Sequence, residues 1–131
     1  MAAMHRLFLG LAALNGFLAV ALGAFGAHGL RSRLAAVADG AQRLDWWRTA
    51  SQFHLMHALA LGLVALLAGR HAGAPLGVSG WAFFAGIVLF SGSLYAMTLT
   101  GARGLGAVTP LGGLAFLVGW AALGWAALRS P

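Results

Sequence analysis

Four stretches of this chain, Leu7 to Ala27, Thr49 to Ala68, Gly80 to Thr100 and Pro110 to Leu128, run about 20 residues each without an arginine or an aspartate. At 1.5 Å per residue, each is long enough to cross the ~30 Å hydrocarbon core of a bilayer as a helix. The pattern predicts an all-α integral membrane protein, with four transmembrane helices in a bundle and one membrane domain over residues 1–131. Composition removes the soluble alternative: 61% of the residues are hydrophobic and 8% charged, whereas a soluble domain has about a quarter charged. The chain has no cysteine, which excludes disulfide scaffolds, thiolate metal sites and dithiol redox chemistry. Its eight arginines are scattered singly between apolar runs. That distribution speaks for membrane anchoring and against nucleic acid as a partner.

Arg6 before an apolar run, with small residues at Ala24 to Ala27, also fits a secretory signal. The run is longer than a signal's apolar region, and its Gly and Ala have a packing use, so it is read as a retained span. Between the first two spans, Leu30, Leu34, Val37, Ala41 and Leu44 recur every three or four residues, with Arg31, Asp39, Gln42 and Arg43 on other faces. This predicts an interfacial amphipathic helix over about 30–44. Trp46 and Trp47 follow at the level where indoles are favoured as the chain re-enters the bilayer. Thr109 before Pro110, and Ser79 before Gly80, are expected to cap the fourth and third spans; Gly69 and Gly101 suit helix exits.

Close helix packing in lipid favours small residues in register. Asn15, Ala19, Gly23 and Ala27 supply one seam, and Ser51, Ala58 and Gly62 another. Gly112, Ala115, Gly119, Ala122 and Ala126 step 3-4-3-4 along one stripe of the fourth span. The glycines and alanines named here, above all Gly23, Gly62, Gly112, Ala115, Gly119 and Ala122, are the expected packing positions.

Polar side chains are concentrated in the half of the bundle facing the first and third loops. His28, Gln52, His54, His57, Ser91, Ser93, Tyr95 and Thr109 form the candidate polar pocket there, and Asn15 is the mid-span exception. His54 and His57 lie about 60° apart on a helix, close enough to face one pocket. Ionisable groups within a membrane are functional candidates by default, yet a neutral imidazole is satisfied by a hydroxyl or a carbonyl. Ser93, Tyr95 or the backbone near Gly26 and His28 are the expected partners of His57. A metal or haem would need His28 with His54 or His57 across helices, and no carboxylate or thiol completes such a set. No metal site and no cofactor is therefore assigned.

Both acids, Asp39 and Asp45, lie in the surface segment, so the in-span carboxylate of a proton-coupled exporter is missing. The Ser-His-Asp constellation fails for the same reason, and the glycines lack the strand–turn–helix context of phosphate loops.

The run Leu22-Gly23-Ala24-Phe25-Gly26-Ala27-His28-Gly29-Leu30 resembles the signature of the small bacterial YgdD/YwdK-like membrane proteins, whose domain is described as of unknown function. Trp47 to His57, Phe90-Ser91-Gly92-Ser93-Leu94-Tyr95 and Thr109-Pro110-Leu111-Gly112-Gly113 followed by Gly119-Trp120 agree with it, so the likeness covers nearly the whole chain. It implies a four-span protein of the bacterial inner membrane, with distant relatives among small animal mitochondrial membrane proteins. It supplies no catalytic residue or ligand. It also singles out His28, His57, Ser91, Ser93, Tyr95, Thr109 and Pro110, and His54 less so.

The reading that follows is a non-enzymatic, multi-pass membrane protein whose polar half-bundle is a structural network or a lipid or partner pocket. Its partners would be the bilayer itself and a second copy or a larger membrane complex. Two alternatives stand beside it: a small oligomeric transporter or channel, and a haem- or quinone-binding subunit using His28, His57 and Tyr95. Arg31, Arg33, Arg43, Arg48 and Arg103 flank the first and third loops, against Arg6, Arg70 and Arg129 on the other side. Five against three places the first loop inside and both termini outside. In this cysteine-free chain, Ser130→Cys should be labelled by an impermeant thiol reagent in intact cells; protection of that site would reverse the orientation.

Overall fold

In a computed structural model, which describes residues 2–71 and 73–129, the four apolar stretches are four long helices. They are α1 (Ala2–Leu34), α2 (Gly40–Ala68), α3 (Ala74–Thr100) and α4 (Thr109–Arg129), with a 3-10 turn, Arg103–Ala107, leading into α4. All four expected spans lie inside them. Successive helices run antiparallel through short connections. α1 packs mainly on α2, α4 mainly on α3, and α2 and α3 on each other. Burial follows that order: 44% of the residues in the apolar windows of α2 and α3 are buried, against 22% at either flank. The inner pair must therefore satisfy its polar atoms within the protein, while the flanking helices show broad apolar faces, such as Phe17 and Leu117, to lipid.

The stretch 30–44 does not form one interfacial helix. Its first residues continue α1 to Leu34, a turn occupies 35–39, and α2 starts at Gly40. A helix of 33 residues is about 50 Å long, well beyond the hydrocarbon thickness, so the ends of α1 and α2 project into the interface instead of lying along it. The periodicity of Leu30, Leu34 and Leu44 comes from these two ends packing together around Trp47. Gly40 makes the reversal tight: its backbone lies against the Leu34 carbonyl where a Cβ would collide, and its N–H donates to the Val37 carbonyl at 2.9 Å.

The rim is pinned by charge. The Asp39 carboxylate lies 3.0 Å from Arg43 Nε and 3.5 Å from Arg103, which also donates to Gln42 Oε1 at 2.8 Å. Desolvation raises the Asp39 pKa, but the hydrogen bond and charge of Arg43, with Arg103 behind it, outweigh that and hold the carboxyl below its usual range. At the exit of α3, Gly101 takes a left-handed conformation (φ 72°) under the Arg43 guanidinium, and its N–H reaches the Met97 carbonyl at 2.8 Å. That backbone conformation is the one only glycine adopts without strain.

Neither expected hydroxyl cap forms. α3 starts five residues before Ser79, at Ala74 with Pro75 in its first turn, and Ser79 is buried inside it. Thr109 directs its hydroxyl to Ser93 at 2.6 Å. In both cases a cross-helix partner outcompetes a helix end that its own first turn or the interface satisfies.

The small residues work chiefly as sockets for rings. A Cβ on Gly26 would strike Trp47, on Gly80 Phe8, on Gly86 Phe116, and on Gly119 Phe83. Gly112 instead admits backbone, that of Phe90, as Gly40 admits that of Leu34. A Cβ on Gly23 or Gly62 would make only an ordinary contact, at 3.9 Å from Ser51 and 3.8 Å from Ala12. Ala115 and Ala122 are half-buried on the same face of α4 as Gly112 and Gly119.

This geometry predicts opposite responses to one methyl group. Gly119→Ala should destabilise by about 1–3 kcal/mol, because Phe83 has to leave its rotamer. Gly16→Ala, where a Cβ meets nothing within 4 Å, should leave stability unchanged or raise it by up to about 1 kcal/mol. Thermal unfolding in one detergent compares them; equal melting temperatures would show that the Phe83 contact yields without cost.

Candidate functional site

α2 carries two buried histidines, and the 60° between them sends them to different interfaces. His54 faces α1 and α3. Its Nε2 lies 3.0 Å from Asn15 Oδ1, and its Nδ1 lies 3.0 Å from the Tyr95 hydroxyl. Asn15 Nδ2 donates to the Leu11 carbonyl at 2.8 Å, and that bond orients the amide, since a flip would set oxygen against oxygen. Asn15 Oδ1 is then an acceptor, so His54 Nε2 carries the proton and Nδ1 accepts from Tyr95 O–H. The result is one directed chain: Tyr95 to His54 to Asn15 to Leu11.

His57 faces α4 with the opposite tautomer. Its Nδ1 lies 2.8 Å from the Phe53 carbonyl and must donate; its Nε2 accepts from Trp120 Nε1 at 3.2 Å. The ring lies flat on Phe116, with centroids 3.5 Å apart and planes 8° apart, in a cluster with Phe53, Phe83 and Trp120. The expected partners Ser93, Tyr95 and the backbone near Gly26 and His28 are therefore replaced by a carbonyl one turn away and an indole.

The remaining hydroxyls tie helices together separately. Ser91 donates to the Ala50 carbonyl and Ser79 to the Gly119 carbonyl, each at 2.8 Å. Thr98 lies 2.9 Å from the carbonyls of both Arg43 and Leu94. Ser93 reaches Thr109 and the Phe90 carbonyl. Trp47 Nε1 donates to the Leu22 carbonyl at 2.7 Å, and His5 Nδ1 to that of Ala65 at 2.8 Å. These bonds mostly end on the second lone pair of a carbonyl belonging to another helix, which costs the helical ladder nothing. Two π turns accompany them: Gly26–Leu30 begins one helical turn after Leu22, and Ile87–Ser91 contains Ser91.

Of the eight pocket candidates, then, the structure joins His54 to Tyr95 and Ser93 to Thr109. It places His57 and Ser91 at other interfaces and leaves His28 and Gln52 exposed. Asn15, Trp47, Ser79, Thr98 and Trp120 do as much of the bonding, although the pocket did not include them. No sequence pattern marks a carbonyl as an acceptor; Asn15, as the lone polar group at mid-span, was the one available signal. A ligand role for His57 conflicts with this geometry, because its lone pair is taken by Trp120 and its face by Phe116. Among the described residues no three of His, Cys, Asp or Glu gather into a group able to hold a metal ion.

A small helical membrane protein whose intramembrane polar atoms are spent on one another is the class these features define. The chain belongs to the family described as "Protein of unknown function (DUF423)", whose model matches residues 22–113. It is 47% identical over 125 residues to the UPF0382 membrane protein YwdK of Bacillus subtilis, covering 95% of this chain and 98% of that protein. It is 42% identical over 115 residues to the UPF0382 membrane protein SAB0533 of Staphylococcus aureus, covering 88% and 89%. A UPF0382 membrane protein of Haemophilus influenzae is 42% identical over 128 residues, covering 97% and 98%. No solved structure matches the chain.

The two histidine networks make a stability prediction. Tyr95→Phe removes the donor to His54 and should lower stability by about 1 kcal/mol, and His57→Ala, which strands the Trp120 N–H and the ring stack, by about 1–3 kcal/mol. His57→Gln offers both a donor and an acceptor and should recover part of the loss. A His57→Ala protein with the melting temperature of the unaltered chain would show that this ring does not hold the bundle.

Proposed function

We propose that this is a non-enzymatic, multi-pass protein of the bacterial inner membrane, a rigid scaffold that acts through its lipid-facing and loop-facing surfaces. The observation that carries this is the closed chain from Tyr95 through His54 and Asn15 to the Leu11 carbonyl. A carrier or channel leaves polar groups facing an aqueous path, and an enzyme leaves a nucleophile or base free to meet substrate. Here both buried imidazoles have a donor and an acceptor in place, which suits holding helices in register. The inner membrane is supported by the helical spans, since outer-membrane spans are β-barrels, and by bacterial relatives. Partners on this reading are anionic lipid, a second copy or a larger complex docking on the exposed faces of α1 and α4.

Reconstitution tests the reading. Liposomes containing the purified chain should hold proton and potassium gradients as long as empty liposomes do. Leakage that the protein causes and that His54→Ala alters would overturn the scaffold in favour of a transporter or channel.

A further inference from the structure

Where α1 leaves the bilayer and α2 enters it, a crevice of about 110 Å³ lies between them, lined by Gly23, Gly26, Arg31, Trp47, Arg48 and Ser51 among others. A buried water needs only ~10–15 Å³, so the space takes a group several times larger. On the α1 side the small residues Gly23, Gly26 and Ala27 line it, and on the α2 side Trp47, pinned to the Leu22 carbonyl, does. Its mouth is cationic. The rim's ion pairs join Arg43 and Arg103 to Asp39, and Arg48 to Asp45; among the described residues they leave Arg31 without a carboxylate. The Arg48 pair is exposed, at 61% and 72%, and engages one guanidinium nitrogen at 3.2 Å. Such a pair is worth little and exchanges readily for a better anion. Ser51 adds a hydroxyl, now 3.1 Å from the Arg48 carbonyl. The level is that of Trp46 and Trp47, where indoles mark the headgroup layer.

We propose that this crevice binds a phosphate-bearing anion, with Arg31 and Arg48 as its two guanidinium clamps and Ser51 as a further donor. Guanidinium matches phosphate with paired, charge-assisted hydrogen bonds, and two of them across a glycine-walled notch recognise a phosphate as a group, beyond the diffuse pull of a basic rim. The chemistry is common to an anionic phospholipid headgroup and to free phosphate. The inference rests on the reading that the protein works by binding.

The test uses the purified full chain in neutral detergent, following melting temperature while phosphatidylglycerol, phosphatidylcholine or inorganic phosphate is titrated. Phosphatidylglycerol should stabilise the unaltered protein at lower concentration than phosphatidylcholine does. In the Arg31→Gln, Arg48→Gln double variant, the concentration for half-maximal stabilisation should rise about tenfold. Arg33→Gln with Arg103→Gln removes the same charge from the same rim outside the crevice and should leave that concentration nearly unchanged. A response to phosphatidylglycerol but not to inorganic phosphate assigns the site to lipid; an Arg31- and Arg48-dependent response to inorganic phosphate alone assigns it to a soluble anion. No stabilisation by either, or equal loss in the two double variants, overturns the site. Leaking liposomes would overturn the scaffold reading and leave this titration to be judged by its own result.

Discussion

Hydrocarbon offers no hydrogen bonds, and α2 carries two imidazoles into it; the rest of the bundle is arranged around that constraint. His54 takes Asn15 from α1 and Tyr95 from α3, so one ring joins three helices. His57 takes Trp120 from α4, which brings in the fourth. α2 is thereby hydrogen-bonded to each of the other three helices, in keeping with the high burial it shares with α3.

Hydrogen bonds within membranes average about 0.6 kcal/mol and reach about 1.7, so these contacts do not dominate stability by size. Aromatic pairs contribute about 0.5–1.5 kcal/mol each beyond their buried area, and two groups of touching rings, Phe53 with Phe90 and Phe116, and Phe83 with Trp120, meet at His57. Packing supplies most of the attraction. The polar bonds supply register, since sliding α2 by one residue would strand both imidazoles at once. Glycine sockets serve the same end: Phe8 in Gly80, Phe83 in Gly119 and Phe116 in Gly86 each have one depth at which they fit.

The two π turns belong to this scheme. The first follows Leu22, whose carbonyl receives Trp47, and ends at Leu30, part of the apolar cluster that joins α1 to α2. The second ends at Ser91, which reaches Ala50 of α2. Each widens one turn of a helix packed against α2, in or near the stretch that bonds to it. The same local shape leaves the glycine-walled notch beside Arg31 and Arg48.

How much was legible in advance follows the range of each interaction. Span number, approximate limits and the exits at Gly69 and Gly101 were readable, because bilayer thickness and backbone conformation act on consecutive residues. The α4 stripe was readable too, since helical periodicity alone puts Gly112 and Gly119 on one face. The segment 30–44 misled because two helix ends that pack on each other produce the same apolar spacing as one helix lying on a membrane. The separate destinations of His54 and His57, the Trp120 indole as partner, and the use of Leu22, Ala50 and Gly119 carbonyls as acceptors were decided only by the tertiary structure. Every residue offers a carbonyl with a spare lone pair, so which one is used depends on the helix that is brought alongside, and nothing in the local sequence records it.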